Sequence, residues 1–131
     1  MKHPAIWPHV TDDDSAPQEL WKPVLARPVH WLMSDDGGAL FMTYPMQPRI
    51  WEAHSQVMPE FRRNTVSYYL AAFDYLKQNT ICARLLGLIP AGNYRAKRAA
   101  EAAGMKPTTT LAQCCMKGGR LIDMTMYERG I

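Results

Sequence analysis

Between Val29 and Met58 the apolar and polar positions follow the alternation of strands, divided by turn residues into three runs. Pro28 to Ser34, with Val29, His30, Trp31, Leu32 and Met33, reads as the first strand. Asp35-Asp36-Gly37-Gly38 is a strong hairpin signal, and Ala39 to Tyr44 is the return strand. Pro45 to Pro48 reads as a second turn, and Arg49 to Met58 as a third strand that Pro59 ends. The three form an antiparallel meander. From Asn64 to Lys77 the period changes: Val66, Tyr69, Leu70, Phe73 and Leu76 fall at helical spacing, which predicts a buried helix face. Asn79-Thr80 stops that helix. Ile81 to Ile89 is nearly continuous apolar, the pattern of a central strand covered on both faces. Asn93 is a good N-cap for a helix over Tyr94 to Ala103, with Gly104 at its C′ position. Thr108 to Met116 and Arg120 to Tyr127 read as two strands joined by Lys117-Gly118-Gly119.

The strand–helix–strand unit around residues 64–77 calls for one parallel pair inside an otherwise antiparallel sheet. The expected fold class is therefore α+β, a mixed, mostly antiparallel central sheet with flanking helices. Residues 1–28 are punctuated by Pro4, Pro8, Pro17, Pro23 and Pro28 and read as irregular, with short helical turns near Pro4 to Val10 and Gln18 to Lys22. A length of 131 residues fits a single domain, 1–131.

Composition narrows the classes. The chain is 47% hydrophobic and 21% charged, as in ordinary globular proteins. A net charge of +3 tolerates an anionic ligand but is far from that of a strongly basic nucleic-acid binder. Cys82, Cys114 and Cys115 are an odd set, not a disulfide framework, so reduced thiols and a cytoplasmic location are expected. No apolar run reaches membrane-spanning length and no leader is visible, so no membrane partner is expected. His3, His9 and His30 lack metal-ligand spacing, and the adjacent Asp12, Asp13 and Asp14 diverge, so no metal site is expected.

The candidate chemistry gathers between Trp51 and Ser67. A strand that breaks at a proline and turns into a helix leaves backbone N–H groups converging near the positive end of the helix dipole, a ready anion site. Arg62 and Arg63 add full charges there. On the preceding strand Glu52, His54 and Gln56 share one face, and Trp51, Ala53 and Ser55 the other. Glu52 or His54 could accept a proton from a nucleophile; the alternative is a polar pair on a half-exposed sheet face. Cys114 and Cys115 face opposite sides of a strand and read as structural thiols. Asp123 is either a strand-pairing residue or a substrate contact. Arg95, Lys97 and Arg98 read as a solvated basic face with an outside chance of touching an anion.

Val57-Met58-Pro59-Glu60-Phe61-Arg62-Arg63-Asn64-Thr65-Val66-Ser67 resembles the strand end, pyrophosphate loop and helix start of the GCN5-related N-acetyltransferase (GNAT) superfamily. The family pattern is Val-x-Pro, two residues, then Gln/Arg-x-x-Gly-x-Gly/Ala. Asn93-Tyr94-Arg95-Ala96, followed by Ala103-Gly104-Met105, resembles the family's Asn-x-x-Ala helix. The resemblance covers about residues 29–127. Through residues 4–8 and Glu52-Ala53-His54 it extends to short members encoded by tailed phages.

The resemblance implies acetyl-CoA as cosubstrate and an amine acceptor, small molecule or protein. The backbone of Gln56, Val57 and Met58 would pair with the pantetheine arm, and the N–H groups of Arg62, Arg63, Asn64, Thr65, Val66 and Ser67 would hold the pyrophosphate. Asn93 would reach the arm from the next helix, and Glu52 or His54 would be the base. The sequence departs from the pattern at Thr65 and Ser67, which stand at glycine positions, and at Arg63, where glycine is common. Ala100 stands where many members carry a tyrosine acid, and Tyr94 is expected to point elsewhere. The alternative expectation is an inactive protein of the same fold, such as a phage accessory or virion-associated component. A homodimer through exposed edge strands is a further expectation. Nucleic-acid binding through Arg62, Arg63, Arg95, Lys97 and Arg98 ranks last.

Overall fold

Turn chemistry sets the first half of the fold. The computed structural model describes residues 28–131; the expectations for residues 1–27 lie outside the described residues. β1 (His30–Met33), β2 (Ala39–Gln47) and β3 (Ile50–Val57) form the expected antiparallel meander. Asp36 organises the first hairpin: its Oδ1 accepts from the Ser34 hydroxyl at 2.7 Å and the Gly38 N–H at 2.8 Å. Gly37 takes the left-handed conformation that the turn requires, with φ +69°. The second turn is shorter than expected. β2 runs through Pro45 to Gln47, because the register shifts between Pro45 and Gln47 and a bulge tolerates the missing N–H.

After β3, Pro59–Asn64 winds as a 3-10 turn where a loop was expected, and passes into helix α1 (Thr65–Asn79). β4 (Arg84–Pro90), helix α2 (Tyr94–Ala102), β5 (Lys106–Lys117) and β6 (Arg120–Gly130) follow. The six strands lie in the order β1-β2-β3-β4-β6-β5, antiparallel except for the β3–β4 pair. This is the mixed α+β sheet the sequence implied.

Both helices pack on one face of the sheet. Tyr69, Ala72, Phe73 and Leu76 of α1 are buried, and with Phe41, Trp51 and Leu85 of the strands they form the core. Leu70 is 41% exposed, against expectation: it lies about a quarter turn off the stripe, and Ala72 takes its place. The expectation of a strand starting at Ile81 and covered on both faces also fails. Ile81 is 59% exposed before the strand begins, and Leu88 on the far face is 37% exposed. α2 lies close to the core through Ala100 and Ala103, each 1% exposed, and ends at Gly104 with φ +85°. Arg129 of β6 ties the helices down: its guanidinium stacks 4.7 Å from the Phe73 ring centre and donates to the Ala103 carbonyl. The bulge in β5 between Leu111 and Cys115, with Gln113 at φ 47°, is held by Asp123, whose Oδ1 accepts the Gln113 N–H at 2.9 Å. Asp123 therefore has the strand-pairing role.

The β1–β2 hairpin also clamps the 3-10 turn. The Gly38 carbonyl accepts the Met58 N–H at 2.8 Å, and the Tyr68 hydroxyl donates to Asp36 Oδ2 at 2.6 Å. A Cβ on Gly38 would fall 2.5 Å from Phe61 Cγ. Gly38→Ala is therefore expected to destabilise the protein by about 1–3 kcal/mol through overpacking, read as a lower denaturant midpoint.

The hydrogen bond from Ser34, then those from Tyr68 and the Gly38 N–H, hold the Asp36 carboxyl below the ordinary carboxylate range. A depressed folded-state value contributes stability above the unfolded value near ~3.9, lost as pH falls through the depressed value. Asp36→Asn is expected to flatten that part of the acid limb in a stability–pH profile and leave the slope at neutral pH unchanged.

Candidate functional site

β3 and β4 pair only at Ile50–Arg84, Trp51–Leu85 and Glu52–Leu86. Beyond this β3 stays bonded to β2 as far as Val57, and β4 to β6 as far as Pro90. Each strand keeps its outer neighbour, and the two separate from each other. Alternate N–H and C=O groups of both strands then face the gap with no strand partner across it.

The gap widens into a cleft of about 460 Å³. Ser55, Gln56 and Val57 form one wall, Arg62, Thr65 and Tyr69 a second, and Gly92 to Ala96 with Arg98 and Ala99, leading into and along α2, a third. Among the described residues, Arg62, Arg95 and Arg98 line it, and no carboxylate does. The N-terminal ends of α1 and α2 both open onto it, through Thr65 and Asn93, so two helix dipoles add to the charge of the arginines. The cleft therefore combines positive charge, from the arginines and the helix ends, with strand edges that have no strand partner across it.

Of the residues singled out in the sequence, Gln56, Val57, Arg62, Thr65 and Asn93 come together here. Met58, Arg63, Asn64, Val66 and Ser67 do not line the cleft. Val66 packs against the core instead. Thr65 carries no strain: its φ is −53°, and both its N–H and its hydroxyl, at 2.7 Å, donate to the Arg62 carbonyl. Asn93 caps α2 as expected, its Oδ1 accepting the Ala96 N–H at 3.2 Å. That leaves its amide NH₂ for another partner.

Glu52 and His54 lie on the opposite sheet face from α1, Glu52 at the last paired position before the gap. His54 Nε2 is 3.1 Å from Glu52 Oε1, with the Glu52 side chain 15% exposed. The His54 ring stacks on Tyr44 at 5.9 Å and 14°. The two are thus a pair along one strand, beside the point where the strands part.

Other sequence readings change. Arg95 and Arg98, read as a solvated face, line the cleft, while Lys97 bonds to Thr125 at 3.3 Å. Tyr94, expected elsewhere, stands at the cleft wall and is 70% exposed. Ala100 is buried in the core beneath α2, not in the cleft. Ser55 and Tyr69 were not singled out together: their hydroxyls lie 2.7 Å apart in the cleft. The available signal was a tyrosine inside an apolar helix stripe, since a buried phenol needs a polar partner.

The described residues have the fold of the GNAT acyl-CoA N-acyltransferase superfamily. A chimeric spermidine N-acetyltransferase from Vibrio cholerae superposes with a TM-score of 0.72 at 15% identity, covering 86% of this chain and 76% of its own. A Streptococcus mutans protein gives 0.70 at 13%, covering 90% and 79%. A GNAT-family acetyltransferase from Bacillus anthracis gives 0.64 at 15%, covering 70% and 57%. At these identities the likeness is one of fold. No protein-family model matches the sequence, and no curated protein matches it.

Asn93→Ala removes the cap of α2 and is expected to cost about 1 kcal/mol, read as a lower melting temperature.

Proposed function

We propose that this protein is an acetyl-CoA-dependent N-acetyltransferase that transfers the acetyl group to an amine by direct attack. The observation that carries this reading is the separation of β3 and β4 after Glu52, with an arginine-lined cleft filling the gap. An extended chain with its own amide groups completes the interrupted ladder there, as a peptide completes a sheet edge. In this reading Gln56 and Val57 offer backbone partners to the pantetheine arm, and Asn93 offers its amide. Arg62, Arg95 and Arg98 bind the phosphates, and Thr65 lines the cleft beside them with its own donors turned to the Arg62 carbonyl. Arg63, Asn64 and Ser67 sit beside this end and contribute charge and the helix start.

Glu52 takes the proton of the attacking amine. His54, 3.1 Å away and 45% exposed, passes it to solvent. Backbone N–H groups of β3 facing the gap stabilise the oxyanion. The acceptor approaches from the face that carries Glu52, opposite the helices. No helix among the described residues is long and apolar enough to cross a membrane. The three cysteines are free thiols, which suits the reducing cytoplasm. Two copies would meet through β5, exposed from Lys106 to Cys114.

A second reading, an inactive protein of the same fold such as a phage accessory component, has one observation in its favour. The Thr65 N–H and hydroxyl are both taken by the Arg62 carbonyl, where the cofactor reading wants donors.

Calorimetric titration with acetyl-CoA separates the two. Micromolar, saturable binding that is lost in Arg62→Glu, with the fold intact by circular dichroism, is the expected result. No binding at millimolar ligand would reject the enzyme reading. With binding established, spermidine is a suitable first amine for an acceptor screen, and Glu52→Gln is expected to lower kcat by about 10²–10⁴-fold.

A further inference from the structure

Acyl transfer from a thioester leaves a thiolate, and a thiolate leaves faster when a proton reaches it. The donors in the cleft are few. The Thr65 hydroxyl is committed to the Arg62 carbonyl, and Tyr94 stands 70% exposed at the wall. Ala100 is buried in the core and has no proton to give. Ser55 and Tyr69 remain, one from β3 and one from the second turn of α1, with their oxygens 2.7 Å apart.

Two hydroxyls that share one hydrogen bond use one of their two protons, so the pair keeps one O–H to donate to a third atom. The Tyr69 ring is fixed in place: Phe41 meets it edge-on at 6.0 Å and Phe73 packs at 6.2 Å. Tyr69 is 8% exposed, and it also lines a cavity of about 450 Å³ between α1 and the β1–β2 hairpin, so it borders two hollows. Burial raises the phenol above its ordinary value, so the ring keeps its proton through the neutral range.

We propose that Tyr69, with Ser55 hydrogen-bonded behind it, is the catalytic acid that protonates the departing CoA sulphur. This rests on the acyl-CoA reading of the cleft. In the transfer, the amine nitrogen bonds to the carbonyl carbon and the carbon–sulphur bond breaks with its electron pair on sulphur. The Tyr69 O–H proton goes to that sulphur, and the amine proton goes to the Glu52 carboxylate. Tyr69 regains a proton from water through Ser55 as the free thiol leaves.

The test needs no acceptor. Free CoA is bound to excess protein, and its thiol is titrated by the ultraviolet absorbance of the thiolate in wild type, Tyr69→Phe and Ser55→Ala. A donor aimed at sulphur favours the thiolate, so the bound thiol should titrate at lower pH in wild type than in Tyr69→Phe, by about one unit or tenfold in acidity. Phenylalanine fills the same space, so CoA affinity measured by calorimetry below the titration of the thiol should change little, and the difference between the two proteins should grow as pH rises through it. Ser55→Ala should shift the titration the same way by less. Bound CoA whose thiol titrates identically in wild type and Tyr69→Phe overturns the proposal and leaves the acyl-CoA site standing. Should Tyr69→Phe fail to fold, an unchanged titration in Ser55→Ala overturns it. Failure of wild type to bind CoA overturns the acyl-CoA reading and this assignment together.

Discussion

Backbone hydrogen bonding between β3 and β4 stops after three residue pairs, and the rest of the molecule is arranged around that stop. Each strand keeps its outer neighbour, β2 or β6, beyond the point where the two part. A buried backbone group without a partner costs about 1–3 kcal/mol, so an interrupted ladder cannot be left dry. In the free protein these edges face the open cleft. A ligand with amides at peptide-like spacing satisfies them and brings its own apolar surface. In the proposed reading, affinity for such a ligand is a by-product of how the sheet is joined, and the side chains around the gap decide which ligand is chosen.

The helix layer serves that selection. α1 and α2 both start at the gap and run away from it, so their positive ends share a cleft with three arginines. Close packing of α2 depends on Ala100 and Ala103, and that closeness leaves no room for a large side chain beneath the helix. Polar chemistry on this side of the cleft falls instead to the neighbouring helix and strand, where Tyr69 and Ser55 meet. Packing and chemistry thus divide the same surface: small residues where the helix must lie flat, hydroxyls where the sheet opens.

Much of this was legible in the chain because single residues carry it. The Asp-Asp-Gly-Gly and Lys-Gly-Gly turns, the break at Pro59, the cap at Asn93 and the left-handed Gly104 each act locally, and each stands where the pattern put it. Features that depend on distant partners were not legible. The continuation of β2 through Pro45 needs a bulge against β3. The late start of β4 at Arg84 follows from where its parallel partner begins. That Arg95 and Arg98 face a cleft, and that Tyr69 finds a serine rather than solvent, follows from how far β3 and β4 stay paired. No periodicity encodes that length. Glu52 and His54 were placed on one face by simple alternation, but their position at the parting of the strands comes from the same long-range pairing.

The strand order has a consequence for how the molecule is assembled. β6 comes last among the described strands in the chain, yet it lies inside the sheet between β4 and β5. As the polypeptide emerges from a ribosome, β4 waits with one edge open until β6 is made and the β5–β6 hairpin docks on it through β6. The hairpin pairing of β5 with β6 is local, whereas the pairing of β6 with β4 spans a larger separation in the chain and closes this half of the sheet. Until β6 is made, the uncharged stretch from Pro107 to Met116 is open on both edges, which makes β5 the part of the nascent chain with most need of a chaperone's cover.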